Sequence, residues 1–294
     1  MSRILPCLLL VGVSLSACAP VVRLPPDEVL RRAAAAVRTL KSARYAVDGK
    51  VETVFSALPA SATLRMDGQL EEGGRRHLSA FSLAGTVTIR GEEHDVSVQA
   101  SIFTPAPGET YLRMNAFTVD PAVADPILDS VRALQGKWVS LPGVAQGGRG
   151  GTQAPDPQLL QLQAHVLRVD RDLGIATVDG RRAYRYAVSV DSEALSRFLR
   201  QSSQQRDEIF DAKRASTWLE LFDATGDIFI DATTYYVHRM QWTYKVPAHS
   251  ISVGDMRGTV SITLSEHDRV GALTPPADFD ASAVLPAVLS VPGT

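Results

Sequence analysis

The residue with the most specific chemistry to offer is Cys18, the last of the tetrapeptide Leu15-Ser16-Ala17-Cys18. Ahead of it lie Arg3 and an apolar run from Ile4 to Leu15, interrupted by Pro6, Gly12 and Ser14. A positive start, a short apolar core and small residues before a cleavage point compose an export signal. A run of about a dozen residues falls short of the roughly 20 that a spanning helix needs. The tetrapeptide resembles a lipobox, in which the thiol is acylated and the cysteine becomes the first residue of the mature chain. Cys7 and Cys18 are the 2 cysteines, so removal of residues 1–17 leaves no second thiol for an intramolecular disulfide. Each buried methylene contributes about 0.8 kcal/mol, so two or more acyl chains give stable anchoring. Lipidation is the expected chemistry at Cys18, and a membrane is the expected partner.

Other reactive groupings are missing from the sequence. The 6 histidines, at 77, 94, 165, 238, 249 and 267, show no metal-ligand spacing and have no cysteine partner. No G-x-S-x-G elbow occurs. Gly143 to Thr152 is glycine-rich but lacks the lysine of a phosphate loop, and Pro155 and Pro157 follow it instead of a helix. Glu71-Glu72 and Glu92-Glu93 fall at hairpin ends, and His94-Asp95 follows a turn, all places for solvated polar groups. No catalytic residue, metal ligand or cofactor is therefore expected. Lys and Arg number 30 against 32 Asp and Glu, dispersed and without a basic block, which argues against nucleic acid.

The elements behind Cys18 begin with a tether, Ala19 to Pro26, whose reach is at most about 26 Å. It keeps the following domain close to the membrane. Asp27 to Ser42 has helical spacing through Leu30, Ala33, Val37 and Leu40. The period then becomes two. Strands are expected over Tyr45–Phe55, Ala62–Glu71, Leu78–Ile89, Val96–Ile102 and Thr110–Thr118, with turns at Leu58-Pro59, Glu72-Gly73-Gly74 and Arg90-Gly91-Glu92. Such short turns make consecutive strands antiparallel neighbours. A helix is expected over Pro121–Leu134, then strand at Lys137–Leu141 and a flexible loop at 143–157. After it come strand at Tyr184–Val190, helices at Ser192–Gln205 and Asp207–Phe222, and strands at Asp227–Asp231, Tyr235–Val246 and Gly258–His267. The sum is a mainly β, α+β fold of about eleven strands. Its antiparallel sheet, polar on one face and apolar on the other, must curve strongly over a few helices that cover the apolar face.

The order of these segments resembles the LolA/LolB and LppX/LprG-like superfamily of envelope lipid-binding proteins. The resemblance rests on the lipobox and first helix and on Asp179-Gly180-Arg181-Arg182-Ala183-Tyr184-Arg185-Tyr186-Ala187-Val188 running into the helix at Ser192. Gly226-Asp227-Ile228-Phe229-Ile230-Asp231, Tyr236-Val237-His238-Arg239-Met240 and Val260-Ser261-Ile262-Thr263-Leu264-Ser265 leading to Pro275-Pro276 complete it. It implies a half-open β-barrel with helices in its mouth, an apolar space for acyl chains, and no catalytic residues. Residues 1–17 are then signal peptide, 18–26 lipidated tether, 27–280 one lipid-binding-like domain and 281–294 a C-terminal tail.

Alternation places Tyr236, His238, Met240, Trp242 and Tyr244 on one strand face. Tyr236, Met240, Trp242 and Tyr244, with Leu64, Met66, Val260 and Ile262 from the apolar faces of other strands, are the candidate cavity lining. Aromatic and methionine side chains fill irregular apolar space, whether around an acyl chain or against a helix. Two functions stand open. One is non-covalent binding or transfer of lipid or another acylated apolar ligand. The other is a structural or sensory lipoprotein presenting a filled sheet to an envelope protein partner. Ala19 after the lipidated cysteine carries no inner-membrane retention signal, so the expected place is the outer membrane facing the periplasm, or the outer face of the plasma membrane where there is one membrane.

Overall fold

A computed structural model describes residues 23–55, 58–89, 91–106, 109–123, 126–140, 166–205, 223–246 and 255–279. The period-two pattern is realised in strands of up to 15 residues, far beyond the usual five or six. In chain order the elements are α1 (Pro26–Thr39), β1 (Ser42–Phe55), β2 (Leu58–Glu71), a 3-10 turn (Glu72–Gly74), β3 (Arg76–Ile89), β4 (Glu92–Ala106) and β5 (Glu109–Asp120). Next come α2 (Pro126–Arg132), β6 (Trp138–Ser140), β7 (Leu167–Val178), β8 (Arg181–Val190), α3 (Ser192–Gln205), β9 (Asp223–Asp231), β10 (Val237–Val246) and β11 (Met256–Ser265).

All strands among the described residues join one 11-stranded sheet in the order β6-β5-β4-β3-β2-β1-β11-β10-β9-β8-β7. Each pairing is antiparallel. Two meanders run outward from the centre, and β1 and β11 stitch them together from Arg44↔Ser265 to Thr53↔Met256. β6 and β7 end the order unpaired with each other, so the sheet is a half-open barrel, as expected. The short turn between β2 and β3 uses Gly73 and Gly74 at φ +68° and +94°, where glycine has no Cβ to clash.

α1 starts with Pro26 at its first turn beside Asp27 and Glu28, and closes with Arg38 in its last. The proline's missing N–H is no loss there, and the charges complement the helix dipole. Val29 and Ala33, one turn apart, are its buried pair. They pack on Tyr184, Tyr186, Val188, Ile228 and Ile230 of β8 and β9, with Met240 and Trp242 at the margin. A second cluster joins Phe103, Tyr111 and Trp138 to Leu273 and Phe279, with Phe279 edge-on to all three rings. Phe103 pairs with both Leu78 and Tyr111 in the ladder, on the face opposite to α1. The segment after β11 thus seals the outside of one half of the sheet.

Several details depart from the expectations, Glu71 among them: it is not a solvated hairpin residue, its side chain being 12% exposed and paired with Arg76 at 2.8 Å. The helix expected over Pro121–Leu134 is a short one, Pro126–Arg132. β7 was not separately legible, because register shifts between Val169 and Arg171 and between Asp172 and Ile175 break its alternation. His94 is not a solvated turn residue: it is 3% exposed, and its Nδ1 lies 2.7 Å from the Pro121 carbonyl oxygen. The signal, Cys18, the 143–157 loop, the 207–222 helix and the 281–294 tail lie outside the described residues. Among the described residues, no helix is long and apolar enough to cross a membrane.

Candidate ligand-binding face

Directly paired residues of antiparallel strands share a face, so the registers can be followed across the sheet as rungs. One apolar rung runs Tyr186–Ile228–Met240–Ile262–Val47–Met66–Phe81–Ala100–Met114, from β8 to β5 without a break. The next runs Val169–Val188–Gly226–Trp242–Val260–Gly49–Leu64–Leu83–Val98–Phe117. A third carries Ala224–Tyr244–Gly258–Val51–Ala62–Gly85–Val96–Val119. Residues far apart in the chain thus become one apolar surface. Met240, Ile262 and Met66 share the first rung; Trp242, Val260 and Leu64 share the second; Tyr244 stands on the third.

Tyr236 stands apart from them. A β-bulge between Val237 and Arg239 inserts an extra residue before Met240 and resets the alternation. The Tyr236 hydroxyl donates to Asp268 Oδ2 at 2.6 Å, and its ring stacks on His267 with centroids 4.7 Å apart. Strand parity alone carries no signal for such a bulge.

Glycines shape this surface, a role the sequence reading did not assign. Gly68, Gly226 and Gly258 pair directly with Tyr45, Trp242 and Tyr244. A Cβ on Gly68 would stand 2.7 Å from Tyr45 Cζ, one on Gly226 3.0 Å from Trp242 Cε3, and one on Gly258 2.6 Å from Tyr244 Cζ. Each ring therefore lies down across the neighbouring strand, filling the space a side chain would take. The signal in the sequence is a glycine at an apolar-parity position. Neighbouring strands approach closely on this side at these glycines. Burial raises the Tyr45 and Tyr244 hydroxyls above the ordinary tyrosine range, so the floor stays uncharged.

α1 covers the β8–β9 part of the face. The β2–β4 part is less covered, and Leu83 at its middle is 36% exposed. The opposite face is polar away from the Phe103 and Phe229 clusters. It carries concavities of about 780 and 350 Å3, the larger lined by Asp48, Lys50, Asp227, Gln241, Thr243 and Thr259 among others. These side chains belong to a solvated outer surface.

At the β9–β10 corner the buried Asp231 carboxylate accepts from the Thr234 and Thr233 amides at 2.7 and 2.8 Å, and its Oδ2 lies 3.0 Å from His238 Nε2. Burial would raise this carboxyl, but the Thr234 amide, His238 and the Thr233 amide outweigh it and hold it below the ordinary range. Among the described residues no group of three or more His, Cys, Asp or Glu could hold a metal ion. Burial lowers His267 and His77 from the ordinary histidine value. Below about pH 6.5 the unfolded chain takes up these protons while the folded chain resists. Stability is therefore full above that pH and falls with acidification until the folded values are passed. Thermal melts should show a lower Tm at pH 5 than at pH 7, and a His77→Gln, His267→Gln chain should lose most of that slope. Asp231 adds a second loss, below about pH 4.

No family model matches the chain, and no curated protein does. Among solved structures, the chain is similar to lipoprotein LppX of Mycobacterium tuberculosis, with a TM-score of 0.38 and 10% identity over 84% of this chain and 97% of that one. It is similar to LprF from Mycobacterium bovis, with a TM-score of 0.36 and 14% identity over 85% and 96%. A DUF1329 family protein from Desulfovibrio piger matches with a TM-score of 0.19 and 8% identity over 81% and 89%. These likenesses say nothing of what this chain binds.

Proposed function

We propose that this chain is an envelope lipoprotein that holds or passes on an acylated apolar ligand, without a covalent step. The observation that carries the reading is the set of unbroken apolar rungs, floored by aromatic rings and only partly covered. A surface of this kind offers dispersion and burial to a methylene chain, with each buried methylene worth about 0.8 kcal/mol. Acyl chains on Cys18 would hold the protein at the membrane, in the outer membrane facing the periplasm or on the outer face of a single membrane. Arg23, five positions after Cys18, binds Asp172 of β7 at 3.2 Å. Five residues span at most about 18 Å, so the β7–β8 edge would sit beside the bilayer. One observation favours the second reading, a filled sheet that presents a surface to an envelope protein partner: Val29 and Ala33 pack directly on β8 and β9.

The test is the full chain with Cys18→Ser, exported and purified gently. It should leave the membrane fraction and carry non-covalent acyl lipid in native mass spectra. Recovery of ligand-free protein alone would reject lipid holding, and retention in the membrane fraction would reject anchoring through Cys18.

A further inference from the structure

Tyr184 and Tyr186 lie side by side beneath α1, their rings parallel within 5° and 6.3 Å apart. Their hydroxyls differ. Tyr184 bonds the backbone of Leu24. The Tyr186 hydroxyl has no partner among the described residues, although the residue is 0% exposed. The other buried unpartnered side-chain atoms among the described residues, on Thr53, Arg75 and Arg113, belong to residues that keep some exposed surface. A buried hydroxyl without a partner is costly and calls for an explanation. Tyr186 stands on the rung that continues through Met240, Ile262, Val47 and Met66, so its side chain belongs to the candidate ligand face.

We propose that the Tyr186 hydroxyl is the polar anchor of this face, donating its hydrogen to the neutral carbonyl oxygen of an ester- or amide-linked acyl chain. The inference rests on the lipid-holding reading and names its ligand class. The donor is dependable, since burial keeps the phenol protonated far beyond neutral pH. The acceptor is neutral because of what stands next to it. Tyr186 pairs in the ladder with Asp172, whose carboxylate accepts from Arg23 at 3.2 Å and from the Gly174 amide at 2.7 Å. The nearby cation is therefore already engaged, and a free carboxylate would meet a like charge. A carbonyl suffers neither problem, and a plain hydrocarbon leaves the hydroxyl unsatisfied.

The test compares methyl palmitate, palmitate and hexadecane as displacers of N-phenyl-1-naphthylamine, on the full chain with Cys18→Ser and on the same chain with Tyr186→Phe. The ester should bind the tyrosine chain most tightly and palmitate most weakly. Tyr186→Phe should weaken the ester about tenfold and leave hexadecane unchanged, with Tm equal or higher. Equal weakening of ester and hexadecane, or no weakening of the ester, overturns the anchor while leaving lipid holding intact. Failure of all three to bind the tyrosine chain overturns both.

Discussion

Gly85→Ala is expected to destabilise the chain by about 3 kcal/mol. Gly85 lies on the apolar face between Ala62 of β2 and Val96 of β4. An added Cβ would stand 2.8 Å from Ala62 Cα and 3.0 Å from Ala62 Cβ, and closer still to the Ser61 carbonyl oxygen. None of these atoms belongs to a side chain that can swing away, so β2 and β3 must part and stretch their ladder. Gly49 supplies the control, since it sits on the same face with its nearest neighbour, Leu64 Cβ, 3.6 Å from an added Cβ. Gly49→Ala should be neutral or stabilising by up to about 1 kcal/mol, because it removes freedom from the unfolded chain. Urea unfolding separates the two variants. Equal midpoints would reject a close approach of β2 and β3 that depends on glycine.

This contrast marks how far the sequence could be read. Alternation in single strands identified most of the elements, because each turn is short and each strand long enough for its parity to be clear. It also assigned Met240, Trp242 and Tyr244 to one face of β10, where the ladder places them. Parity failed where the backbone gains a residue. The bulge after Val237 moves Tyr236 away from that set, and the shifts along β7, with Gly174 at φ +85°, hide a whole strand. Rotation by one residue costs nothing in composition, so nothing in the residue types announces it.

The union of the two meanders was equally invisible. Pairing of β1 with β11 joins positions more than two hundred residues apart, Arg44 with Ser265 for example, and only that pairing places Leu64 and Met66 on the rungs of Trp242 and Met240. Buried polar groups form the third blind spot. His94 looks like an ordinary turn residue, and Asp231 and His238 like strand positions, until tertiary structure closes over them. Glycine at apolar parity was readable in principle. Gly49, Gly68, Gly85, Gly226 and Gly258 all occupy such positions, although spacing alone does not separate the crowded ones from Gly49.

Leu83→Glu is expected to weaken acyl binding at least a hundredfold while leaving the fold intact. Leu83 lies on the second rung between Leu64 and Val98, in the less covered part of the face, and is 36% exposed. In the empty protein a glutamate there keeps its carboxylate in water, so the loss of stability should stay within about 1 kcal/mol. A bound acyl chain changes that balance, because it must cover the carboxylate or leave part of its own length exposed. Burying an unpaired charge costs several kcal/mol, and each 1.4 kcal/mol is about tenfold in affinity. Ser82→Glu provides the comparison. It places the same charge one residue away but on the polar face, where Ser82 pairs with Arg65 and Gln99. Displacement of N-phenyl-1-naphthylamine by methyl palmitate should be lost in Leu83→Glu and kept in Ser82→Glu and Leu83→Met. Equal binding by the two glutamate chains would mean that the ligand does not lie on this face, whatever its chemistry.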